Sequence, residues 1–264
     1  FDGFSNIREK QEYAKQWERD LTEETLQAMV RDYQKRAGSN DISEYEMTDW
    51  EALNAWVQTL WPELEEADQP YIMLSYVDPS QLTGFEERRE KALENFLDMN
   101  GQTGEEKEYF LNMNTKVDTP LQYRWTKGWT FVTADFVSQC GVILGIFLAI
   151  GIAPMFCGEW HDRTKALIAT TKNGWKKIAG VKVMAAVLFT LELYGIITVS
   201  SVFLQIVFLG TEGWDMPIQC IKILAAAPWD VLQAEIYVYI YLLLAALGYT
   251  GIGLLCSALT KSNY

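Results

Sequence analysis

The chain has 264 residues, a formal net charge of −13 and 49% hydrophobic residues, an average composition typical of a soluble protein. The charge is unevenly distributed, because Phe1 to Thr130 holds 27 of the 35 acidic residues but 14 of the 22 Lys and Arg. This division indicates water around the first half and lipid around much of the second, and it argues against a single soluble globule. The excess of carboxylates also argues against nucleic acid as a partner.

The acidic half is predicted to be helical. Residues 6–19 and 22–37 are rich in Glu, Gln, Lys, Ala and Leu, and Gly38 is placed as a helix stop. Three further helices are predicted from capping-box patterns, in which a Thr is followed three residues later by a Glu. These pairs are Thr48 with Glu51, Thr83 with Glu86, and Thr103 with Glu106.

A small extracytoplasmic helical domain over residues 1–130 is therefore expected, followed by a transmembrane domain over 131–264. Aromatic side chains at helical spacing predict the core of the first domain: Trp50, Trp56, Trp61 and Phe96. Tyr71 to Val77 is compatible with a short strand or a buried segment, and Asp118 to Lys127 is predicted to be the linker into the membrane.

Three apolar runs follow, at residues 136–156, 183–209 and 236–259. Each run exceeds the roughly 18 residues that separate a membrane span from a buried core helix. The fold class expected is mainly α, with three transmembrane helices of a polytopic membrane protein. Only the second run contains an ionisable residue, Glu192.

The charges between the runs predict the orientation. Residues 158–182 carry a net charge of +4 and residues 210–235 a net charge of −3, so the first loop is expected in the cytoplasm and the second outside. The protein is then a multi-pass plasma-membrane protein whose acidic domain faces outward. Five tryptophans fit either an interfacial aromatic belt or the protein core: Trp125, Trp129, Trp160, Trp214 and Trp229.

Export of the acidic half requires a signal that its first residues do not supply. Phe1 is not a start methionine, and the residues after it resemble neither a signal peptide nor a membrane span. We therefore expect the native polypeptide to begin earlier, with another span.

Several kinds of site are disfavoured by the sequence. Gly174 to Lys182 has the wrong glycine spacing for a phosphate-binding loop, and His161 is the only histidine, so neither a His-based metal site nor a Ser-His-Asp triad can form. The four cysteines lack metal spacing and are expected to be buried thiols. Glycines in the first and third runs predict close helix packing: Gly141, Gly145, Gly248, Gly251 and Gly253.

Glu192 lies near the middle of its run, where an ionised carboxylate costs about 3 kcal/mol on insertion scales. A carboxylate on a gate or substrate path and a protonated or hydrogen-bonded Glu in a helix interface are equally compatible with this position.

Residues 156–182 read FCGEWHDRTKALIATTKNGWKKIAGVK. An acidic residue leaves the first run, an apolar pair and a threonine pair follow, and a basic stretch enters the second run. This segment resembles the permease subunits of ABC-2-type ABC transporters at Phe156, Glu159, Thr164, Leu167, Thr170 or Thr171, and Lys182. It departs from the family's pattern because Arg163 stands where a Gly is usual and no proline follows the later threonine.

The resemblance implies an export-type permease subunit that performs no chemistry itself. A separate ATP-binding cassette subunit would bind ATP and Mg²⁺ and dock on the loop, and a second permease copy or homologue would complete the transporter. Leu167 and Ile168 would sit in a cleft of that ATPase, with Arg163, Lys176 and Lys177 at the rim of the contact or among lipid headgroups.

Other functions fit the same residues. The basic loop alone is explained by orientation of the protein and binding of anionic lipid. A membrane-anchored receptor or sensor with an outer ligand-binding domain is the alternative from another class. An intramembrane hydrolase using Glu192 is a third, for which no second catalytic group is visible. The substrate cannot be read from these residues.

Overall fold

The computed structural model describes residues 9–38, 50–64, 74–130, 137–161, 170 and 174–260. It confirms a mainly helical chain with three helices long and apolar enough to cross a membrane. The chain divides into two compact units. The acidic unit comprises Phe1–Thr130 and Phe208–Ala234, and the apolar unit comprises Phe131–Val207 and Glu235–Tyr264.

The acidic unit is built from four main helices: α1 (Glu23–Ala37), α2 (Trp50–Leu60), α3 (Phe85–Met99) and α4 (Glu105–Asn114). Thr22 caps α1 by accepting a hydrogen bond from the Thr25 amide, and the Gly38 amide bonds back to the Gln34 carbonyl, so the predicted stop at Gly38 is confirmed. Residues 9–14 are helical and continue as the short 3₁₀ turn Lys15–Trp17.

Two of the predicted capping boxes are wrong. Gly84 and Gly104 precede α3 and α4, and no side chain caps either helix. Gly84 has φ +71°, a left-handed conformation that suits glycine, and its amide donates instead to the Glu23 carboxylate. Thr48 lies outside the described residues. Among residues 74–77, no strand is present.

The predicted linker is a structural part of the acidic unit. Gln122–Tyr123 forms strand β2, which pairs antiparallel with β1 (Arg19–Asp20), and the Leu21 amide donates to the Leu121 carbonyl at 2.7 Å. Leu121 and Tyr123 are fully buried. The chain therefore remains within the folded unit until the short helix α5 (Lys127–Thr130).

The segment 208–234 also belongs to the acidic unit, whereas the sequence-based division kept residues 210–235 with the membrane half. The Trp56 indole donates to the Cys220 carbonyl at 3.1 Å, and the Trp129 indole donates to the Glu212 carbonyl at 2.7 Å. Apolar side chains of the segment join the core of the unit: Met216, Ile218, Cys220, Ile223, Val231 and Ala234. The acidic unit is thus assembled from two separated stretches of the chain.

The predicted aromatic core is confirmed only in part. Trp56 and Trp61 are buried, but Trp50 is half-buried and Phe96 is 46% exposed. Trp125 and Trp129 are also buried in this unit, Trp229 packs partly against its core, and Trp214 is exposed.

A buried arginine joins α3 to α4. The Arg89 guanidinium is 1% exposed, donates to the Asn114 side-chain oxygen at 2.9 Å and lies 3.4 Å from Glu86. Burial raises the pKa of the Glu86 carboxyl, an effect that the nearby arginine opposes. The side-chain oxygen of Asn114 is therefore the closest hydrogen-bond acceptor for the buried, positively charged Arg89 guanidinium.

The apolar unit contains the three long apolar helices, except for the first residues of the third, which lie in the acidic unit up to Ala234. The first span is α6 (Val137–Ile152) with α7 (Pro154–His161), the second is α8 (Gly174–Leu204) with a π-helical end at Gln205–Leu209, and the third is α9 (Val231–Leu259). The stretches apolar enough to cross a membrane are Gln139–Gly158, Lys177–Phe208 and Val231–Leu259. At about 1.5 Å per residue, the shortest of them spans roughly 30 Å, the thickness of a bilayer's hydrocarbon core.

The three spans pack through small residues and a compact apolar core of Leu144, Leu148, Ile152 and Ala246. A Cβ on Gly151 would lie 2.6 Å from the Phe189 ring, and one on Gly253 would lie 3.2 Å from Ile152. The predicted close packing therefore holds at Gly253, and also at Gly151, which was not predicted. Gly248 and Gly251 face open space.

Candidate functional site at the base of the basic loop

The structure describes the two ends of the predicted coupling loop. Glu159 lies in α7, Lys176, Lys177 and Lys182 lie in α8, and Thr170 is exposed between them. Four predicted contact residues lie outside the described residues: Arg163, Thr164, Leu167 and Ile168. The second span begins earlier than predicted, because the basic residues from Lys176 onward continue its helix toward the loop.

The first span breaks at Ala153, immediately before Pro154. Proline has no amide hydrogen and its ring clashes with the carbonyl one turn earlier, so a helix cannot continue through it undisturbed. The Ala153 amide makes the last regular bond, to the Ala149 carbonyl at 3.0 Å, and α7 restarts with Pro154 in its first position. The break leaves the first amides of α7 and the Ala153 carbonyl without their usual helical partners.

Ser257 of the third span satisfies these groups. Its hydroxyl donates to the Ala153 carbonyl at 2.6 Å and accepts from the amides of Phe156 at 2.9 Å and Cys157 at 3.3 Å. The serine is 3% exposed. One buried hydroxyl therefore joins the third span to both halves of the first, and we call this arrangement the Ser257 clasp.

Lys182 of the second span reaches the same place. Its ammonium group donates to the Met155 carbonyl and lies 5.1 Å from the centre of the Phe156 ring, within the range of a cation–π contact. Met155 and Phe156 belong to the turn of α7 that Ser257 holds. The ends of the loop are thus fastened to each other and to all three spans by Ser257 and Lys182.

A second contact joins the second and third spans nearer their middle. The hydroxyls of Thr190 and Thr250 are 2.6 Å apart, and both residues are buried. Each hydroxyl also lies 2.8 Å from the carbonyl four residues earlier in its own helix.

Glu192 is exposed and has no hydrogen-bond or ionic partner among the described residues. It therefore does not lie in an interface among these three helices. In a bilayer, this carboxylate meets lipid unless a helix from another part of the assembly covers it.

No cluster of three or more His, Cys, Asp or Glu suitable for a metal ion is found in the part of the chain that the structure describes. No disulfide joins the four cysteines, all of which lie in the described residues; Cys140, Cys157 and Cys220 are buried as predicted, but Cys256 is exposed.

The acidic unit carries an open cleft of about 370 Å³ between α2, α3 and Leu224. Phe96 and Met99 line it, with 46% and 88% exposure. At its edge, Arg88 pairs with Glu63 at 2.6 Å and lies 5.4 Å from the centre of the Trp61 ring. The cleft thus combines an apolar wall with a charged rim.

No protein-family model, curated protein or solved structure matches this chain. The resemblance to ABC-2-type permeases therefore rests on the loop residues and the pattern of spans.

Only weak signals in the sequence point to the residues that form the Ser257 clasp. Pro154 predicts a helix break within an otherwise regular span. Ser257 is a small polar residue in an apolar run, and a buried serine in a membrane helix commonly bonds to a backbone carbonyl. Only the structure shows that the serine meets the break.

Proposed function

We propose that this chain is a permease subunit of an ABC-type exporter. In this proposal, residues 158–182 couple ATP hydrolysis in a separate subunit to substrate movement, and the chain performs no chemistry itself. ATP and Mg²⁺ bind to the partner ATPase.

The observation that carries the proposal is the Ser257 clasp together with Lys182. A loop that transmits motion must be stiffly attached to the helices it moves, because a flexible attachment would absorb the displacement. Here Ser257 and Lys182 bring the first, second and third spans to one point at the first turn of α7. A displacement of the loop would therefore act on all three spans together.

The assembly of the acidic unit from two separate stretches of the chain supports the membrane orientation in the proposal. Residues before the first span and residues 208–234 form one core, so both stretches must lie on the same side of a membrane. Two crossings between Thr130 and Phe208 return the chain to the side on which it started. The positive-inside bias then favours the acidic unit outside the cell and residues 158–182 in the cytoplasm.

The exposed carboxylate of Glu192 supports a second permease copy or homologue as a partner. Only 11% of the most apolar window of the second span is buried. A neighbouring permease that covers this face would remove Glu192 from direct contact with lipid hydrocarbon, where a lone charge is unfavourable.

The test uses the tagged full chain, isolated from its native membrane in lipid nanodiscs, and phosphate release by the ATPase that copurifies. The double variant Leu167→Glu, Ile168→Glu should lose the ATPase from the complex. Ser257→Ala should retain the ATPase but lower its rate of phosphate release several-fold, whereas Ser200→Ala, at an exposed serine of the second span, should match wild type. Absence of any copurifying ATPase, or wild-type copurification and phosphate release in the double variant, would overturn the proposal.

A membrane-anchored receptor or sensor is the second candidate, and the cleft beside Phe96 and Met99 favours it. A receptor would bind an apolar ligand there and need no ATPase. Binding of the apolar dye ANS to the full chain, its loss in Met99→Asp, and the absence of a copurifying ATPase would together favour the receptor over the exporter.

A further inference from the structure

A second buried polar cluster lies between the second and third spans, near the ends that adjoin residues 208–234. The hydroxyls of Ser201 and Tyr239 are 2.6 Å apart, as are those of Thr190 and Thr250. The two contacts are separated by eleven residues on both helices, which fixes an antiparallel register. One more turn along each helix from Ser201 and Tyr239 therefore brings Gln205 opposite Glu235.

Glu235 and Gln205 are buried, at 4% and 5% exposure. Among the described residues, the Nε2 of Gln205 has no hydrogen-bond partner, and the Glu235 carboxylate has no cationic partner and interacts only with the Tyr239 hydroxyl. The Thr198 hydroxyl, two turns before Gln205 on the same helix face, is also buried without a partner. These are the groups that a ligand between the helices would reach.

Neighbouring groups add further oxygen atoms. The Tyr239 hydroxyl, which contacts Ser201, also has a hydrogen-bond interaction with the Glu235 carboxylate one turn away. A half-turn of the Gln205 amide exchanges its nitrogen for its oxygen, so Gln205 can supply an acceptor as well. The second span changes to a π-helical turn at Gln205, and such turns occur frequently at functional sites.

The net charge of the cluster indicates which kind of ligand would bind there. A buried carboxylate without a cationic partner is strongly unfavourable and requires neutralisation. A proton would satisfy Glu235 alone, whereas a small cation would be coordinated by several of these oxygens together. One negative charge among neutral oxygens fits a monovalent ion, because divalent sites typically combine more carboxylates.

We propose that Glu235, Gln205, Ser201 and Tyr239 form a binding site for a monovalent cation such as Na⁺ between the second and third spans. The site is inferred only from contacts within the apolar unit, so it does not depend on the proposed exporter activity.

The test measures thermal unfolding of the full chain in detergent at constant ionic strength, with NaCl replaced stepwise by choline chloride. The midpoint should rise by several degrees with Na⁺ and then saturate, because a ligand that binds only the folded state stabilises it. Glu235→Gln should remove this rise. Ser200→Ala, which changes an exposed serine of the second span, should retain it.

Binding of ²²Na⁺ to the same protein gives a second readout, in which Glu235→Gln and Gln205→Leu should each bind at least tenfold more weakly than wild type. If Glu235→Gln does not fold, Gln205→Leu alone decides. Equal midpoints in Na⁺ and choline, or wild-type ²²Na⁺ binding in either variant, would overturn the site. A dependence on pH without any dependence on Na⁺ would overturn it in favour of a proton.

Discussion

The incorporation of residues 208–234 into the acidic unit can be tested at Met216. This side chain is fully buried in the same core as Trp56, and Met216→Ala removes its three terminal heavy atoms from that core. Truncation of a buried methionine costs about 2–5 kcal/mol. With a urea dependence of about 2 kcal/mol per molar, the unfolding midpoint should fall by roughly 1–2.5 M.

The assay is a urea titration of the full chain in mild detergent, monitored by tryptophan fluorescence. Eight of the ten tryptophans lie in the acidic unit, so the signal reports mainly on its unfolding. Met99→Ala is the matched control, because Met99 is 88% exposed and its truncation should change the free energy of unfolding by less than about 0.5 kcal/mol. Equal midpoints for the two variants would refute the composite core.

Two further predictions concern single contacts. Gly151→Ala should destabilise the apolar unit by about 1–3 kcal/mol, because the new methyl group must displace the Phe189 ring. Gly248→Ala, where the methyl group enters open space, should be neutral or stabilising by up to about 1 kcal/mol. Thermal unfolding of both variants in detergent measures the difference. Asn114→Ala should destabilise the acidic unit by about 1–3 kcal/mol, because the buried Arg89 guanidinium loses its hydrogen-bond acceptor, as measured by urea unfolding.

A higher melting temperature for Gly151→Ala than for Gly248→Ala would show that the first and second spans do not approach closely. Asn112→Ala, at an exposed position of α4, is the control for Asn114→Ala, and equal urea midpoints for the two would remove the energetic role of the Arg89 contact.

The three apolar spans could be predicted because length and absence of charge are local properties of the sequence. The residues at which the spans begin and end could not be predicted as accurately. The second helix begins at Gly174, since Lys177 and Lys182 have long side chains that place their charge at the end of an apolar helix while the backbone remains helical. The third begins at Val231, which brings Glu235 inside the helix and into the buried cluster with Tyr239.

The assembly of the acidic unit was harder to predict because its contacts are distant in sequence. Asp118 to Lys127 contains Pro and polar residues typical of a linker. Its apolar residues Leu121, Tyr123 and Trp125 nevertheless alternate, as they do in a half-buried strand, and all three are buried. Phe96 was expected in the core because it shares a helical stripe with Leu93, but the neighbouring face of α3 opens onto the cleft.

The hydrogen bond from Trp56 to Cys220 joins residues 164 positions apart, with the first two spans between them. At a synthesis rate of about 5–20 residues per second, the ribosome needs roughly 8–33 s to make the intervening chain. During that interval, the early half of the acidic unit lacks Met216, Ile218 and Val231 and exposes the apolar surface that they later cover. The acidic unit is therefore completed only after both of the first two spans have been synthesised, and until then its early half exposes apolar surface.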